Sequence, residues 1–142
     1  MLTPLQPVAV PDNPVRKQVV GGVSCGFPSP ALEYSEPPLS LDELVSLREP
    51  SRWLVRADGD SLRDIGIYDK DILVVDKGLS PVDGDVLVVI IGPDFVAKEY
   101  RERPGMSPLL LAHNDAFPSI EVGDWEEIEL WGVVLYCLHK VR

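Results

Sequence analysis

Two residues have the chemistry that a nucleophile and a base require: a serine in a turn and a lysine in an apolar run. Ser61 lies in the loop 57–64 (ADGDSLRD), directly after the apolar run 52–57. A Gly-Asp-Ser turn can hold a serine hydroxyl clear of a sheet, beside backbone amides that stabilise an oxyanion. Such turns also form simply because Asp and Ser bond their own backbone. On these residues alone, Ser61 is a candidate nucleophile and a structural turn is the more common alternative.

A serine nucleophile needs a base, and the sequence offers two histidines and several lysines. Neither His113 nor His139 has an aspartate three positions before it, which excludes the triad of the GDSL esterases. We expect both histidines to have surface or structural roles and to bind no metal. Lys98 lies in the run 95–100 (FVAKEY), where alternation alone favours a solvated side chain. To act as a base near neutral pH, Lys98 would have to be desolvated, because the pKa of a free lysine is about 10.4.

The elements that would position these residues are mostly strands. Six short apolar or alternating runs predict strands: 52–57, 72–76, 85–91, 95–100, 108–112 and 130–138. Before them, the run SLDELVSL predicts one helix with Ser40 as its N-cap and Glu43 in a capping box. No segment between the strands has the length of a crossover helix. The sequence therefore predicts a mainly β, largely antiparallel body with one short helix near its start.

The start of the chain has a different composition. Four prolines fall within the first 14 residues, so no helix can form there. The strip 21–30 (GGVSCGFPSP) then combines glycine and proline with apolar Val23 and small Cys25. We predict that residues 1–30 are a mobile, extended arm and that residues 31–142 are a β-rich domain.

Composition limits the partners and the compartment. The chain has 142 residues, is 45% hydrophobic and carries a formal net charge of −10. Such a charge repels phosphate backbones, so we expect no direct binding of nucleic acid. The sequence contexts of Cys25 and Cys137 differ, which argues against a disulfide framework. The sequence shows no signal peptide and no apolar run of about 18 residues, so we predict a cytoplasmic protein that binds no membrane. We also predict no cofactor.

Several short motifs, taken together and in order, carry a resemblance to a known family. They are Cys25-Gly26-Phe27-Pro28-Ser29-Pro30, Gly59-Asp60-Ser61, Asp69-x-Asp71-Ile-Leu-Val-Val-Asp76, Gly84-Asp85-Val86, Phe95-Val96-Ala97-Lys98 and Trp131-Gly132-Val133-Val134. In this order the motifs resemble those of the UmuD proteins, which are accessory subunits of error-prone DNA polymerase V. The UmuD proteins belong to the LexA-type self-cleaving Ser-Lys peptidases. The likeness runs from about residue 23 to the C-terminus. The chain departs from the family pattern at Leu62, where methionine is usual, and at Gly22, where an apolar residue is usual.

The resemblance implies a LexA/UmuD-like peptidase fold and the activity of an autoproteolytic serine endopeptidase. In that family the serine and the lysine form a catalytic dyad, and their spacing here is the one expected. Ser61 would be the nucleophile and Lys98 the general base. The backbone amides of Asp60 and Ser61 would form the oxyanion hole. Replacing methionine by Leu62 is a near-isosteric change that we expect to be tolerated.

The resemblance also gives the glycine-rich strip a purpose, since it corresponds to the family's own cleavage site. The bond cut would be Cys25–Gly26, with Val23 and Cys25 filling subsites. The family further implies a homodimer, stimulation by the RecA–single-stranded DNA filament in the SOS response, and a truncated form that joins a UmuC-type polymerase in translesion synthesis. We do not expect a LexA-like repressor, because it would need a DNA-reading domain before the cleavage site. We do not expect a signal peptidase either, because it would need a membrane anchor. The open alternative is a non-catalytic polymerase-interaction module with a vestigial dyad.

Overall fold

The computed structural model describes residues 13–23, 25–26, 36–111, 113, 119–121 and 128–142. These residues form two compact units, one that ends at Pro50 and one that comprises Ser51–Arg142. Strands dominate both units, and every strand pair in the described ranges is antiparallel. The predicted mainly β, antiparallel fold is therefore confirmed. Most of the predicted arm lies outside the described residues, so its boundary at residue 30 stays a prediction. In the described part of the chain, we find no helix that combines the length and the hydrophobicity needed to cross a bilayer.

The first unit contains a two-stranded antiparallel ribbon that the sequence pattern does not predict. Strand β1 spans Lys17–Val19 and strand β2 spans Glu36–Leu39. The side-chain amide of Gln18 reinforces the pairing by donating to the carbonyl oxygen of Glu36 at 2.5 Å. The second strand (EPPL) contains two adjacent prolines, which cannot donate to a ladder. A two-stranded ribbon accommodates them because each strand keeps an unpaired edge.

The single α-helix in the described ranges, α1, spans Leu41–Leu44 and is shorter than the run SLDELVSL. Ser40 occupies the N-cap position, but its hydroxyl bonds the carboxylate of Asp42 rather than a backbone amide. The carboxylate of Glu43 pairs with the guanidinium of Arg16 at 2.5 Å. The predicted capping box is therefore wrong, because both of its side chains have charged partners that compete with the backbone amides.

The second unit is built on one seven-stranded sheet. Its strands are β3 (Arg52–Arg56), β4 (Ile72–Asp76), β5 (Val86–Ile91), β6 (Asp94–Arg103), β7 (Met106–Leu111), β8 (Ile120–Glu121) and β9 (Ile128–Leu138). Their spatial order is β3-β4-β9-β5-β6-β7-β8. All six predicted strands are present to within three residues at either end, and the two-residue β8 is additional. Strand β9 lies between β4 and β5 and so joins the two halves of the sheet.

Alternate residues of β5 pack into two separate apolar clusters. Leu87 and Val89 belong to one cluster and Val88 to the other, as the two-residue period of a strand requires. We call the second one the cleft cluster, whose buried members are Leu62, Ile67, Leu73, Val75 and Val88. Leu62 comes from the turn after β3. The burial of Leu62 therefore fixes the turn at the position next to Ser61.

Candidate active site

A cleft of about 250 Å³ opens beside the cleft cluster in the second unit. Its wall is formed by the end of β3, the turn that follows it and the first half of β6. Ser61 from the turn and Lys98 from β6 both line this cleft. The structure thus brings to one cavity the two residues that the sequence singles out for chemistry.

The turn that carries Ser61 is fixed on both sides. The backbone amide of Gly59 donates to Oδ1 of Asp69 at 2.7 Å. Gly59 has a φ of +99°, a backbone conformation that favours glycine because a side chain there would be strained. On the other side, Leu62 is 5% exposed within the cleft cluster. Ser61 itself is exposed, so the turn presents it to the cleft rather than to the core.

The amides of Asp60 and Ser61 are the predicted oxyanion hole. The carbonyl oxygen of Asp60 accepts the N–H of Arg63 at 3.1 Å, which closes the turn. Neither amide donates a hydrogen bond to another atom of the described residues. Both amides are therefore unused by the described residues, but Ser61 lines the cleft whereas Asp60 does not, so the oxyanion hole stays a prediction.

Lys98 lies on β6, opposite Leu87 of β5. Its side chain is half-buried, not in the solvated position that alternation alone favours. Burial lowers the pKa of the ammonium, because an apolar environment disfavours the charged form. Within the described ranges, no carboxylate forms an ion pair with Lys98 that would oppose this effect. The shift therefore has the direction that a lysine base requires.

The predicted cleavage residues belong to the first unit. Val23 is 84% exposed, and Cys25 is exposed as well. A Cβ placed on Gly26 or on Gly22 would have no atom within 4 Å. This stretch of backbone is thus uncrowded, as a peptide substrate must be. Ser24 and residues 27–30 of the strip lie outside the described residues.

His113 lines the cleft, a position that no sequence signal indicates. Its Nδ1 lies 2.7 Å from Oδ2 of Asp64, and its Nε2 lies 2.5 Å from Oε2 of Glu99. Burial disfavours the charged ring, but the hydrogen bonds to the two carboxylates outweigh it, so the pKa of His113 is raised. These contacts fit the expected surface or structural role, which stays a prediction. Its place in the cleft escaped prediction because the two partners are 49 and 14 positions away in sequence.

A second polar cluster surrounds Asp71, which is 2% exposed. Its carboxylate bonds Nδ1 of His139 at 2.6 Å and accepts the thiol of Cys137 at 2.9 Å and the amide of Tyr68 at 2.8 Å. These contacts tie the end of β9 to the loop before β4. In the described part of the chain, no three His, Cys, Asp or Glu side chains are grouped so as to hold a metal ion.

Comparison with known proteins gives the cleft a family context. Residues 18–135 match the Peptidase S24-like family, a span that includes both Ser61 and Lys98. SamA of Salmonella typhimurium is 36% identical over 82% of this chain and 80% of that protein. MucA of Escherichia coli is 37% identical over 82% of this chain and 79% of that protein. The LexA repressor of Vibrio campbellii is 36% identical over 73% of this chain and 50% of that protein. The chain therefore belongs to the Peptidase S24-like family and is one of its UmuD-type members.

Proposed function

We propose that this chain is a self-cleaving serine endopeptidase with Ser61 as the nucleophile and Lys98 as the general base. One observation carries the proposal: a serine and a lysine whose pKa is lowered by burial line the same cleft. A neutral amine can remove the proton of a serine hydroxyl, whereas an ammonium cannot. Membership of the Peptidase S24-like family supports the same reaction class.

In the first half of the reaction, neutral Lys98 takes the hydroxyl proton of Ser61 while Oγ attacks the carbonyl carbon of Cys25. The amides of Asp60 and Ser61 hold the negative charge that develops on the carbonyl oxygen. Lys98 then returns its proton to the amide nitrogen of Gly26. The bond between Cys25 and Gly26 breaks, and the N-terminal segment remains as an ester on Ser61.

In the second half, water hydrolyses this ester. Lys98, neutral again, takes a proton from the water molecule as its oxygen attacks the ester carbonyl carbon. The tetrahedral intermediate collapses and the proton passes to Oγ of Ser61. The products are a peptide that ends in the carboxylate of Cys25 and a protein that begins with the free amine of Gly26.

The substrate is the exposed strip of the chain's own first unit. Val23 and Cys25 have an apolar and a small side chain that suit the aliphatic part of the cleft wall. Gly26 presents no side chain beside the bond to be cut. A covalently attached substrate can reach an effective concentration in the millimolar range, so even weak docking suffices.

The role that fits this chemistry is that of a switch in the SOS response to DNA damage. The RecA–single-stranded DNA filament would favour the cleavage-competent arrangement, as an effector that shifts a population rather than one that adds chemistry. The truncated homodimer would then act as an accessory subunit of a UmuC-type translesion polymerase. A net charge of −10 supports this division of labour, because such a chain contacts DNA best through its partners.

The alternative is a non-catalytic polymerase-interaction module whose dyad is vestigial. The two alternatives differ in one measurable product, the cleavage fragment, which only the peptidase forms. The purified chain is incubated with RecA filament formed on single-stranded DNA, and the fragments are weighed by mass spectrometry. The peptidase gives a fragment that begins at Gly26, and the module gives none under any condition.

Four substitutions complete this test. Ser61→Ala and Lys98→Ala should each leave a folded, uncut protein. Ser80→Ala and Lys140→Ala change an exposed serine and an exposed lysine outside the cleft, and these variants should be cut at the wild-type rate. Continued cutting by Ser61→Ala or Lys98→Ala would refute the assignment of the dyad.

A further inference from the structure

One imidazole links the two parts of the cleft wall that hold Ser61 and Lys98. Asp64, which bonds Nδ1 of His113 at 2.7 Å, lies three residues after Ser61, in the 3₁₀ turn Arg63–Ile65. Glu99, which bonds Nε2 at 2.5 Å, is the residue after Lys98 on β6. The His113 ring therefore connects the turn of the nucleophile to the strand of the base.

This arrangement requires the charged form of the His113 ring. A neutral imidazole has one N–H and can donate to one carboxylate only, whereas the charged ring donates from both nitrogens. In the neutral form, one nitrogen lone pair of His113 would face a carboxylate oxygen at hydrogen-bonding distance. The side chains of His113 and Glu99 are 14% and 7% exposed, so water has little access to replace the lost bond.

The charges around the ring balance when it is protonated. Asp64 and Glu99 are the acids that face it, and Arg101 bonds the second carboxylate oxygen of Glu99. Among these four groups, two acids, one guanidinium and one imidazolium leave no net charge, and Arg101 pairs in addition with the exposed Asp83 at 3.7 Å. The buried Glu99 thus has two cationic partners and does not act as an unpaired anion next to Lys98. The other charged side chains of the cleft wall are those of Arg56, Asp58 and Lys98.

We propose that His113, in its charged form, is a positioning residue that holds the Ser61 turn against the strand of Lys98. This inference rests on the proposed function, since it assigns a task within the same cleavage reaction. Hydrogen bonds to Asp64 and Glu99 raise the pKa of His113 against the opposing effect of burial. Both hydrogen bonds of the charged ring are present at pH values below the ordinary imidazole pKa of about 6.5. One of them is lost as pH rises through the raised pKa of His113.

The test compares cleavage by the wild type and by His113→Gln from pH 6 to pH 10, in parallel reactions with the same RecA filament. Glutamine donates to one carboxylate and carries no charge, so this variant resembles the wild type with a neutral ring. The titration of Lys98 and any pH effect on the filament cancel in the ratio of the two rates. We expect the wild type to be faster by about tenfold at pH 6 and about equal at pH 10. A ratio that does not change with pH overturns the inference.

Two further variants separate positioning from general stability. His113→Arg keeps a charge and several donors at every pH, so its rate relative to His113→Gln should exceed one at every pH and show no decline toward pH 10. His139→Gln removes the chain's other imidazole, which also bonds a buried carboxylate but does not line the cleft. The ratio of the cleavage rate of His139→Gln to that of the wild type should not vary with pH. A pH-dependent ratio for His139→Gln equal to that of His113→Gln would refute a role specific to His113.

A titration that does not depend on cleavage distinguishes failure of this inference from failure of the proposed function. In the uncut Ser61→Ala protein, the ring signals of His113 are followed by NMR as pH is changed. Asp64→Asn and Glu99→Gln should each lower its pKa. An unchanged pKa in both variants overturns the link itself. If the pKa is lowered in these variants but no condition causes the wild-type chain to cleave, the link stands and the peptidase is refuted, and with it the catalytic purpose of the link.

Discussion

Gly132 and Val75 pack so closely that a Cβ at position 132 would lie 2.5 Å from Cγ1 of Val75. Val75 is fully buried in the cleft cluster, and the carbonyl oxygen of Asp76 lies 3.0 Å from the same point. Gly132 is on β9, opposite Val88 of β5 and next to a bulge in that pairing. The absence of a side chain at this one position thus lets β9 pack closely against β4 under the cleft.

Gly132→Ala should therefore destabilise the protein. The added methyl group meets a buried side chain and a backbone oxygen, neither of which can move freely, and overpacking of this kind costs about 1–3 kcal/mol. Chemical denaturation followed by tryptophan fluorescence measures the free energy of unfolding. Gly22→Ala is the control, because a methyl group there meets no atom within 4 Å. Equal stability of the two variants would contradict the close packing.

The strands could be predicted because hydrophobic alternation and turn residues are local signals. All six predicted strands form the body of the sheet. The ribbon of Lys17–Val19 and Glu36–Leu39 escaped prediction because its pairing is long-range and one strand contains two prolines. The capping box failed because Arg16, 27 positions from Glu43, competes for that side chain. Apart from the local contact of the Ser40 hydroxyl with Asp42, the misses are thus contacts between distant segments.

The same distinction applies to the site. Ser61 and Lys98 could be singled out as candidates because each lies in a short motif, and the resemblance to a family accounts for the order of the motifs. The burial of Lys98 could not be derived from alternation, since it depends on strands that come together only in the folded sheet. His113 has no motif, and its two carboxylates come from a turn and a strand elsewhere in the chain.

Asp76→Asn should weaken the fold and reduce its sensitivity to acid. The Asp76 carboxylate is 3% exposed and accepts the Gly78 amide at 2.6 Å, the Ser51 hydroxyl at 2.9 Å and a hydrogen bond from Arg52. Burial raises the pKa of Asp76, but these hydrogen bonds and the Arg52 charge outweigh it and lower the pKa. Loss of the charge should cost about 2 kcal/mol at neutral pH.

The sign of the acid effect follows from that lowered pKa. A carboxylate with a lowered pKa stabilises the fold above its unfolded value, near 3.8 here, and the stabilisation is lost as pH falls through the folded value. The wild type should therefore lose more stability between pH 5 and pH 2 than Asp76→Asn does. Asp94→Asn, at an exposed aspartate, should follow the wild type. Parallel acid curves for the wild type and Asp76→Asn would contradict this prediction.

The two cysteines should differ widely in their reaction with iodoacetamide. The thiol of Cys137 donates to Asp71, and burial together with that carboxylate raises the pKa of Cys137 to about 12. Because the thiolate is the reactive form, about one Cys137 in ten thousand is reactive at pH 8. Both cysteines are exposed, so the raised pKa of Cys137 makes the difference. Cys25 should be alkylated first, as peptide mapping by mass spectrometry will show. Asp71→Asn should accelerate the modification of Cys137, and equal rates for both thiols in the wild type would refute the contact.

Self-cleavage should accelerate as pH rises, because the lowered pKa of Lys98 sets the fraction of neutral amine. Below that pKa, the neutral fraction and hence the rate increase about tenfold per pH unit, and above it the rate levels off. Since burial lowers the pKa, the levelling should begin below the value of about 10.4 of a free lysine. Mass spectrometry of samples taken over time at each pH measures the rate. Lys98→Arg keeps its charge throughout this range and should remain uncut at every pH. A wild-type rate that is constant from pH 7 to pH 10 would show that a group other than Lys98 accepts the proton.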